Sequence, residues 1–287
     1  DQAAQLAKTD LVTDMVGEFP ELQGIMGGYY ALNDGLGDVV ANAIEDHYKP
    51  RFAGDALPRN MAGVVVALAD KLETLVGMFG IGNLPTGDKD PFALRRHALG
   101  VVRMLVEKNL ASDLGALVAS AAPAFGDKIV DASPALVDFI YDRLAGSLRE
   151  QGYSAQEVDA VLALKPQRLG DIPKRLAAVR AFVALPESPA LAAANKRIGN
   201  ILKKSDGDVD PHVSEVLLQE AAEKALYASM QTVLPVAQAQ WEAGDYTASL
   251  QSLAELRTPV DAFFEDVMVN AEALDLRLNR LGLLTCL

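Results

Sequence analysis

The stretch VVVALADKLETLVGMF (64–79) decides how this chain folds. Val64, Val65, Leu68, Leu72, Leu75, Val76 and Phe79 recur at spacings of three and four, which places them on one side of an α-helix. The same period returns in Leu136, Phe139, Ile140 and Leu144, and again in Val216, Leu217, Leu226, Met230, Val233 and Leu234. Alternating strand patterns bounded by turns are nearly absent. Ala and Leu are abundant and aromatics make up only 6% of the chain, a bias toward residues that lose little side-chain freedom in a helix. The sequence predicts an all-α protein.

Gly and Pro punctuate these helices. GIGNLPTGDKDP (80–91), PAFGDKIVDASP (123–134), LKPQRLGDIP (164–173) and SDGDVDP (205–211) read as breaks or turns, and LPESP (185–189) reads as the best domain boundary. No internal repeat or low-complexity tract is present. At 287 residues, half of them apolar, the chain is long enough for about two domains with a real core. It opens at Asp1 rather than Met, which reads as a piece of a longer protein. No secretory signal and no apolar run of about 18 residues is found. The single cysteine, Cys286, rules out an internal disulfide framework and favours a reducing cytoplasm.

Several patterns approach chemical motifs and miss them. Gly82–Lys89 resembles a phosphate-binding loop, but Asp88 separates the second Gly from Lys89 and Asp90 follows. Asp206, Asp208 and Asp210 alternate as in a calcium loop, yet the sixth position is Pro211 and the twelfth Leu217. His47, His97 and His212 stand apart, with no HxxxH, HExxH or CxxC spacing nearby. Each reads more simply as a loop, a solvated turn, or a structural or surface histidine.

Charge gives the stronger signal. The formal net charge is −13, from 26 Lys and Arg against 39 Asp and Glu, so this is no general nucleic-acid coat. Within it, NKRIGNILKK (195–204) carries four bases and no acid. On a helix turning about 100° per residue, Lys196, Arg197, Asn200, Lys203 and Lys204 share one face, and Ile198, Ile201 and Leu202 share the other. A solvated charged face and an anion- or RNA-binding face remain about even alternatives on this ground alone.

Five stretches then carry a resemblance: KTDLVTDMVGEFPELQGIMGGYYA (8–31), DHYKPRFAGDALP (46–58), VALADKLETLVGMFGIGNLPTGDKDPFALRRHALGVVRML (66–105), NKRIGNILKK (195–204) and LRTPVDAFFEDVMVNAE (256–272). In their order they resemble the β subunit of bacterial glycyl-tRNA synthetase, in its C-terminal part, with residues 106–185 less distinct. The resemblance implies an HD-like helical domain at 1–105, a helical linker region at 106–185 and an anticodon-binding helical domain, like that of arginyl-tRNA synthetase, at 186–287.

It further implies that the chain recognises and positions tRNA(Gly) for glycylation at an active site on a separate α subunit. ATP and Mg2+ are then expected on that subunit and no cofactor on this chain. The implied partners are tRNA(Gly) and the α subunit in an α2β2 complex in the cytoplasm, with no membrane and no DNA. Lys196, Arg197, Asn200, Lys203 and Lys204 become the expected RNA-binding face. Arg257, Arg277 and Arg280 are weaker candidates, and Phe263 and Phe264 could stack bases or sit in the core. Lys89, Arg95 and Arg96 could bind the acceptor arm or pair with Asp88 and Asp90. Thr9-Asp10 and Asp70 stand at degenerate HD positions without the histidines, a poor metal site. The rivals are an HD-type metal-dependent phosphohydrolase using Asp10 and Asp70, and a helical adaptor for the α subunit that touches no RNA.

Overall fold

In a computed structural model the chain is all-α, and the structure describes residues 1–205 and 209–287. The helices are α1 (Gln2–Leu6), α2 (Asp14–Glu18), α3 (Ile25–Asn33), α4 (Asp38–Asp46), α5 (Met61–Gly80), α6 (Leu94–Glu107), α7 (Leu114–Ala121), α8 (Ser133–Glu150), α9 (Ala155–Leu162), α10 (Ile172–Val183), α11 (Ser188–Leu202), α12 (Ala221–Glu242), α13 (Tyr246–Ala254), α14 (Arg257–Asp266) and α15 (Leu274–Cys286). Short 3-10 turns intervene, among them Thr9–Val12 and Glu215–Leu217. Among the described residues no strand forms; an isolated bridge between Thr86 and Lys89 closes the loop before α6. No single helix among them is long and apolar enough to cross a membrane.

Packing divides the chain into two compact units, Asp1–Pro173 and Lys174–Leu287. In the first, α3 packs on α4, α4 on α5, α5 on α6, and α8 on both α5 and α6. The stripe that opened the sequence does most of this: Val64, Leu68, Leu72, Leu75, Val76 and Phe79 are buried. Val65, about 100° round the helix from Val64, is instead 58% exposed. Asn60 caps α5 by accepting a hydrogen bond from the Gly63 N–H at 2.8 Å, satisfying a donor that helix geometry leaves free. Gly27 allows α3 to lie close on α4; a Cβ there would come within 2.7 Å of Ile44 Cγ2. α7 and α8 join the same core through Leu114, Leu136 and Ile140, each at most 1% exposed.

In the second unit, α12 packs on α13 and α14, and α11 packs on α14 and α15. The core gathers Leu226, Met230, Val260, Phe263, Leu283 and Leu284, with Ile198 from α11. The expected stripe around Val216 is corrected here. Residues 209–220 are not α-helical, and Val216 is 89% exposed. A distant partner accounts for it: the Ser214 backbone is held at both N–H and carbonyl by the Asn279 amide of α15, at 2.7 and 3.2 Å. Gly282 accepts this strand of chain, because a Cβ there would run into the His212 carbonyl.

Candidate nucleic-acid interface

Within the second unit, α11, α15 and the chain joining α11 to α12 enclose a cleft of about 1190 Å3. α11 contributes Lys196, Arg197 and Asn200, all exposed, while Ile198 turns into the core. The helix ends at Leu202, with Lys203 as its C-cap. Lys204, just beyond, still lines the cleft, and Lys203 is exposed but is not part of its lining. The opposite wall brings Arg277 from α15 and Asn270 from the turn before it. Among the described residues two acids, Asp210 and Asp275, share the lining with the cations Lys196, Arg197, Lys204 and Arg277. Such a rim concentrates anions locally although the whole chain is acidic. Asp206 and Asp208 lie outside the described residues.

Three further candidates separate by burial. Phe263 is fully buried, whereas Phe264 is half-buried beneath Arg197, whose guanidinium carbon lies 4.2 Å from the ring centroid. Arg257 is half-exposed and pairs with Asp261 one turn on, at 3.5 Å. Arg280 does not face solvent at all. It is 5% exposed, donates to Glu223 Oε1 at 2.5 Å and to the Met268 carbonyl at 2.8 Å, and so braces α15 against α12. Burial works against the charged form of Glu223, but the Arg280 hydrogen bond and the N–H groups of Glu220 and Gln219 outweigh it and hold the carboxyl below its ordinary range.

In the first unit, Asp90 caps α6. Its carboxylate accepts from the N–H groups of Leu94 and Arg95 at 2.8 and 2.9 Å. The Arg95 guanidinium donates to the Gly87 carbonyl at 2.6 Å, which folds the 80–91 loop onto the helix start, and Lys89 and Arg96 are exposed beside it. The degenerate HD positions have structural work. Asp10 is 1% exposed and its Oδ2 accepts from Gly24 and Gly27 at 2.6 and 3.1 Å, at the start of α3. Asp70 pairs with Lys8 at 2.5 Å, on the wall of a cleft of about 810 Å3 that His47 also lines. Among the described residues no three His, Cys, Asp or Glu side chains are grouped to hold a metal ion.

The second unit is thus a helical bundle with a cationic cleft along one amphipathic helix. Residues 191–287 match the family described as the DALR anticodon binding domain. Residues 1–163 match the glycyl-tRNA synthetase beta subunit family, and the chain belongs to it. Among its relatives, a protein of Polaromonas naphthalenivorans is 79% identical over the whole chain, one of Acidovorax sp. (strain JS42) 78% over 99% of it, and one of Dechloromonas aromatica 69% over 99%. Each is called glycine--tRNA ligase beta subunit. The chain spans about 40% of the length of these relatives.

Sequence reading named the α11 wall of the cleft and Arg277 on the opposite wall, but not Asn270 or His212, which have no basic residues beside them. The one usable signal there was Arg277; it stands only about 60° round the helix from the buried Arg280, so a helical wheel of α15 alone does not say which arginine is outside.

Proposed function

We propose that this chain is the tRNA-recognising part of a glycine–tRNA ligase β subunit. It binds tRNA(Gly) in the second unit and helps hold the acceptor end at an active site on the α subunit, where glycine is activated with ATP. The observation that carries this reading is the cleft itself: Lys196, Arg197, Lys204 and Arg277 line it, in a chain of net charge −13. Phosphate contacts from these cations supply affinity, and the Asn200 and Asn270 amides supply hydrogen bonds to base edges. Lys203 adds charge beside the rim. Lys89 and Arg96, exposed in the first unit, are the proposed acceptor-arm contacts, with Arg95 positioning their loop. The HD-like, linker and anticodon-binding division at 105 and 185 is retained as the functional partition. Arg280 is left out, because its guanidinium is buried against Glu223.

Fixing tRNA at two places acts by position. It turns the meeting of the acceptor end and the activated amino acid into an effectively intramolecular step. The α2β2 assembly and cytoplasmic location belong to the same proposal. The hydrolase rival gains no support from Asp10 and Asp70, whose carboxylates are committed to a helix start and to Lys8.

The test is binding of tRNA(Gly) by this chain across a salt series. Affinity falls as salt rises, because cations condensed on RNA are released on binding. Changing Lys196, Arg197, Lys203 and Lys204 together to Ala lowers affinity and flattens the slope of log K against log salt by roughly 2 to 3, at about 0.7 to 0.9 per lost phosphate contact. Helix content stays unchanged. A variant with the parent's slope would remove α11 from the interface.

A further inference from the structure

Arginines in the second unit are mostly spoken for. Arg257 pairs with Asp261, Arg280 with Glu223, and Arg175 lies against both Trp241 and Tyr246 at 4.6 and 4.5 Å. Arg197 differs. It is exposed, it lines the cleft, and among the described residues no carboxylate pairs with it. Its guanidinium lies over the Phe264 ring at 4.2 Å, and Phe264 meets Phe263 edge-on, with centroids 5.5 Å apart and planes at 77°. Phe263 is 0% exposed. The arrangement runs from core to solvent: a locked ring, a second ring braced on it, and a guanidinium over the second ring.

A guanidinium seated over an aromatic face is a different object from a surface lysine. It is planar, is attracted to the ring beneath it, and has the width and polarisability to take another flat group on its outer side. Unpaired bases in RNA loops stack on aromatic rings and on arginine planes, whereas bases inside a duplex have no free face. Asn200, one turn along α11, and Asn270, across the cleft, each offer an amide donor and acceptor, the chemistry that reads a base edge. Lys196, Lys204 and Arg277 remain for the phosphates on either side.

We propose that the cleft receives an unstacked nucleotide of a single-stranded RNA loop, its base lying on the Arg197 guanidinium that Phe264 supports. This rests on the tRNA reading above and sharpens it: the second unit selects an open loop over paired RNA, through one stacked base.

The experiment compares two probes on the same 287-residue chain: the anticodon stem-loop of a glycine tRNA with 2-aminopurine in the loop, and the same stem extended into a full duplex. Two variants are used. Arg197→Lys keeps the charge and loses the plane; Phe264→Leu keeps apolar volume and loses the ring. The parent chain binds the stem-loop at least about tenfold more tightly than the duplex and quenches the 2-aminopurine. Each variant loses roughly tenfold for the stem-loop, the size of one lost stacked base. The salt slope and the duplex affinity stay as they were, and the quench disappears. Arg197→Lys leaves Phe264 in place and carries the test if Phe264→Leu loses helix content.

Stem-loop affinity and quench unchanged in Arg197→Lys would overturn the stacking shelf and leave tRNA binding standing. Equal losses for stem-loop and duplex would overturn it too, making Arg197 a phosphate contact. No binding of either RNA by the parent chain at low salt would overturn both readings.

Discussion

The Glu223–Arg280 pair of the second unit and the Lys71–His47 cluster of the first bury ionisable groups in opposite ways. In the second unit, Glu223 and Arg280 are almost wholly buried and satisfy each other, with further hydrogen bonds from two backbone N–H groups and to the Met268 carbonyl. In the first unit, buried polar atoms are left without hydrogen-bond partners: Asp10 Oδ1, His47 Nε2, the Tyr48 hydroxyl and His97 Nδ1. Lys71, 3% exposed, holds only two carbonyls, those of His47 and Tyr48, at 3.3 and 3.4 Å. A paired buried charge braces helices; an unpaired one pushes its own protonation toward neutral. The Glu223–Arg280 pair therefore depends on a charge being present, whereas the Lys71–His47 cluster strains against charge; the first unit also holds a paired buried charge, Asp46 with Arg59 and Lys49.

Breaking the pair gives the largest effect. Arg280→Met leaves the Glu223 carboxylate buried opposite an apolar chain, at a cost of about 3–5 kcal/mol. Urea unfolding measures the loss, and amide hydrogen exchange should localise it to α12 and α15. A loss below about 1 kcal/mol would mean the pair does not brace these helices. Because the Glu223 pKa is lowered in the folded state, its contribution is present above its unfolded value near 4.5 and disappears as pH falls through the folded value.

Lys71 comes next and runs the other way. Burial pushes its ammonium down to about 8 from 10.5. Between those values the unfolded chain holds a proton that the folded chain has shed, so stability rises with pH across that window. The full rise is about 3 kcal/mol. Tyr48, pushed up to about 12 by burial, opposes it only above about pH 10, where tyrosine in the unfolded chain ionises. Lys71→Met removes the rise, and the gap between variant and parent narrows from about pH 8 to about pH 9.5. Parallel pH profiles would contradict a buried, strained ammonium.

A smaller effect of the same sign is expected from His47. Burial lowers its pKa below 6.5, and its Nδ1 lies 2.6 Å from the Ile44 carbonyl, to which an Nδ1–H donates. Below about pH 6.5 the unfolded chain gains a proton that the folded one resists, so stability falls on acidification. His47→Phe keeps a ring against Tyr48, 3.9 Å away, and removes part of that fall. His97, lowered by burial as well, keeps the remainder. Thermal unfolding between about pH 7 and about pH 5.5 should therefore show a shallower decline in the variant than in the parent. An NMR titration in which His47 protonates near its ordinary value would break the contrast between the pair and the cluster.

This contrast shows which parts of the molecule were legible in the sequence. Helical periodicity alone identified the α5 core, because burial of Leu68, Leu72, Leu75 and Phe79 follows from spacing. It also separated Ile198 from Lys196 and Arg197, since both sets lie on one continuous helix. It failed where a long-range partner decides the outcome. Val216 sits in an apolar pattern but follows Ser214, whose backbone is held out of helix by Asn279, 65 residues later in the chain. Arg280 shares a helix and a charge with Arg277, yet it is buried against a glutamate on α12 and the Met268 carbonyl while Arg277 lines the cleft. Asp10 looks like a fragment of a metal motif and turns out to hold the N–H groups of α3. Local pattern carries the fold; the partner of each charge is a tertiary fact.

The smallest predicted effect tests that last point at the surface. Arg257 and Arg277 were equivalent candidates by sequence. Arg257 is tied to Asp261 in an exposed pair, worth at most about 0.5 kcal/mol, and it does not line the cleft. Arg257→Ala should therefore change stability by no more than that, with the change vanishing at high salt. Its effect on tRNA affinity should stay within about twofold, since a charge already paired with an acid has little net field to offer. Arg277→Ala lowers the affinity and reduces the salt slope by roughly 0.7 to 0.9, one phosphate contact. Measured side by side in the same RNA titration, the two variants ask whether a basic residue contributes because of its charge or because of where its charge is free to act. Equal losses from both would place the RNA across α14 as well as in the cleft.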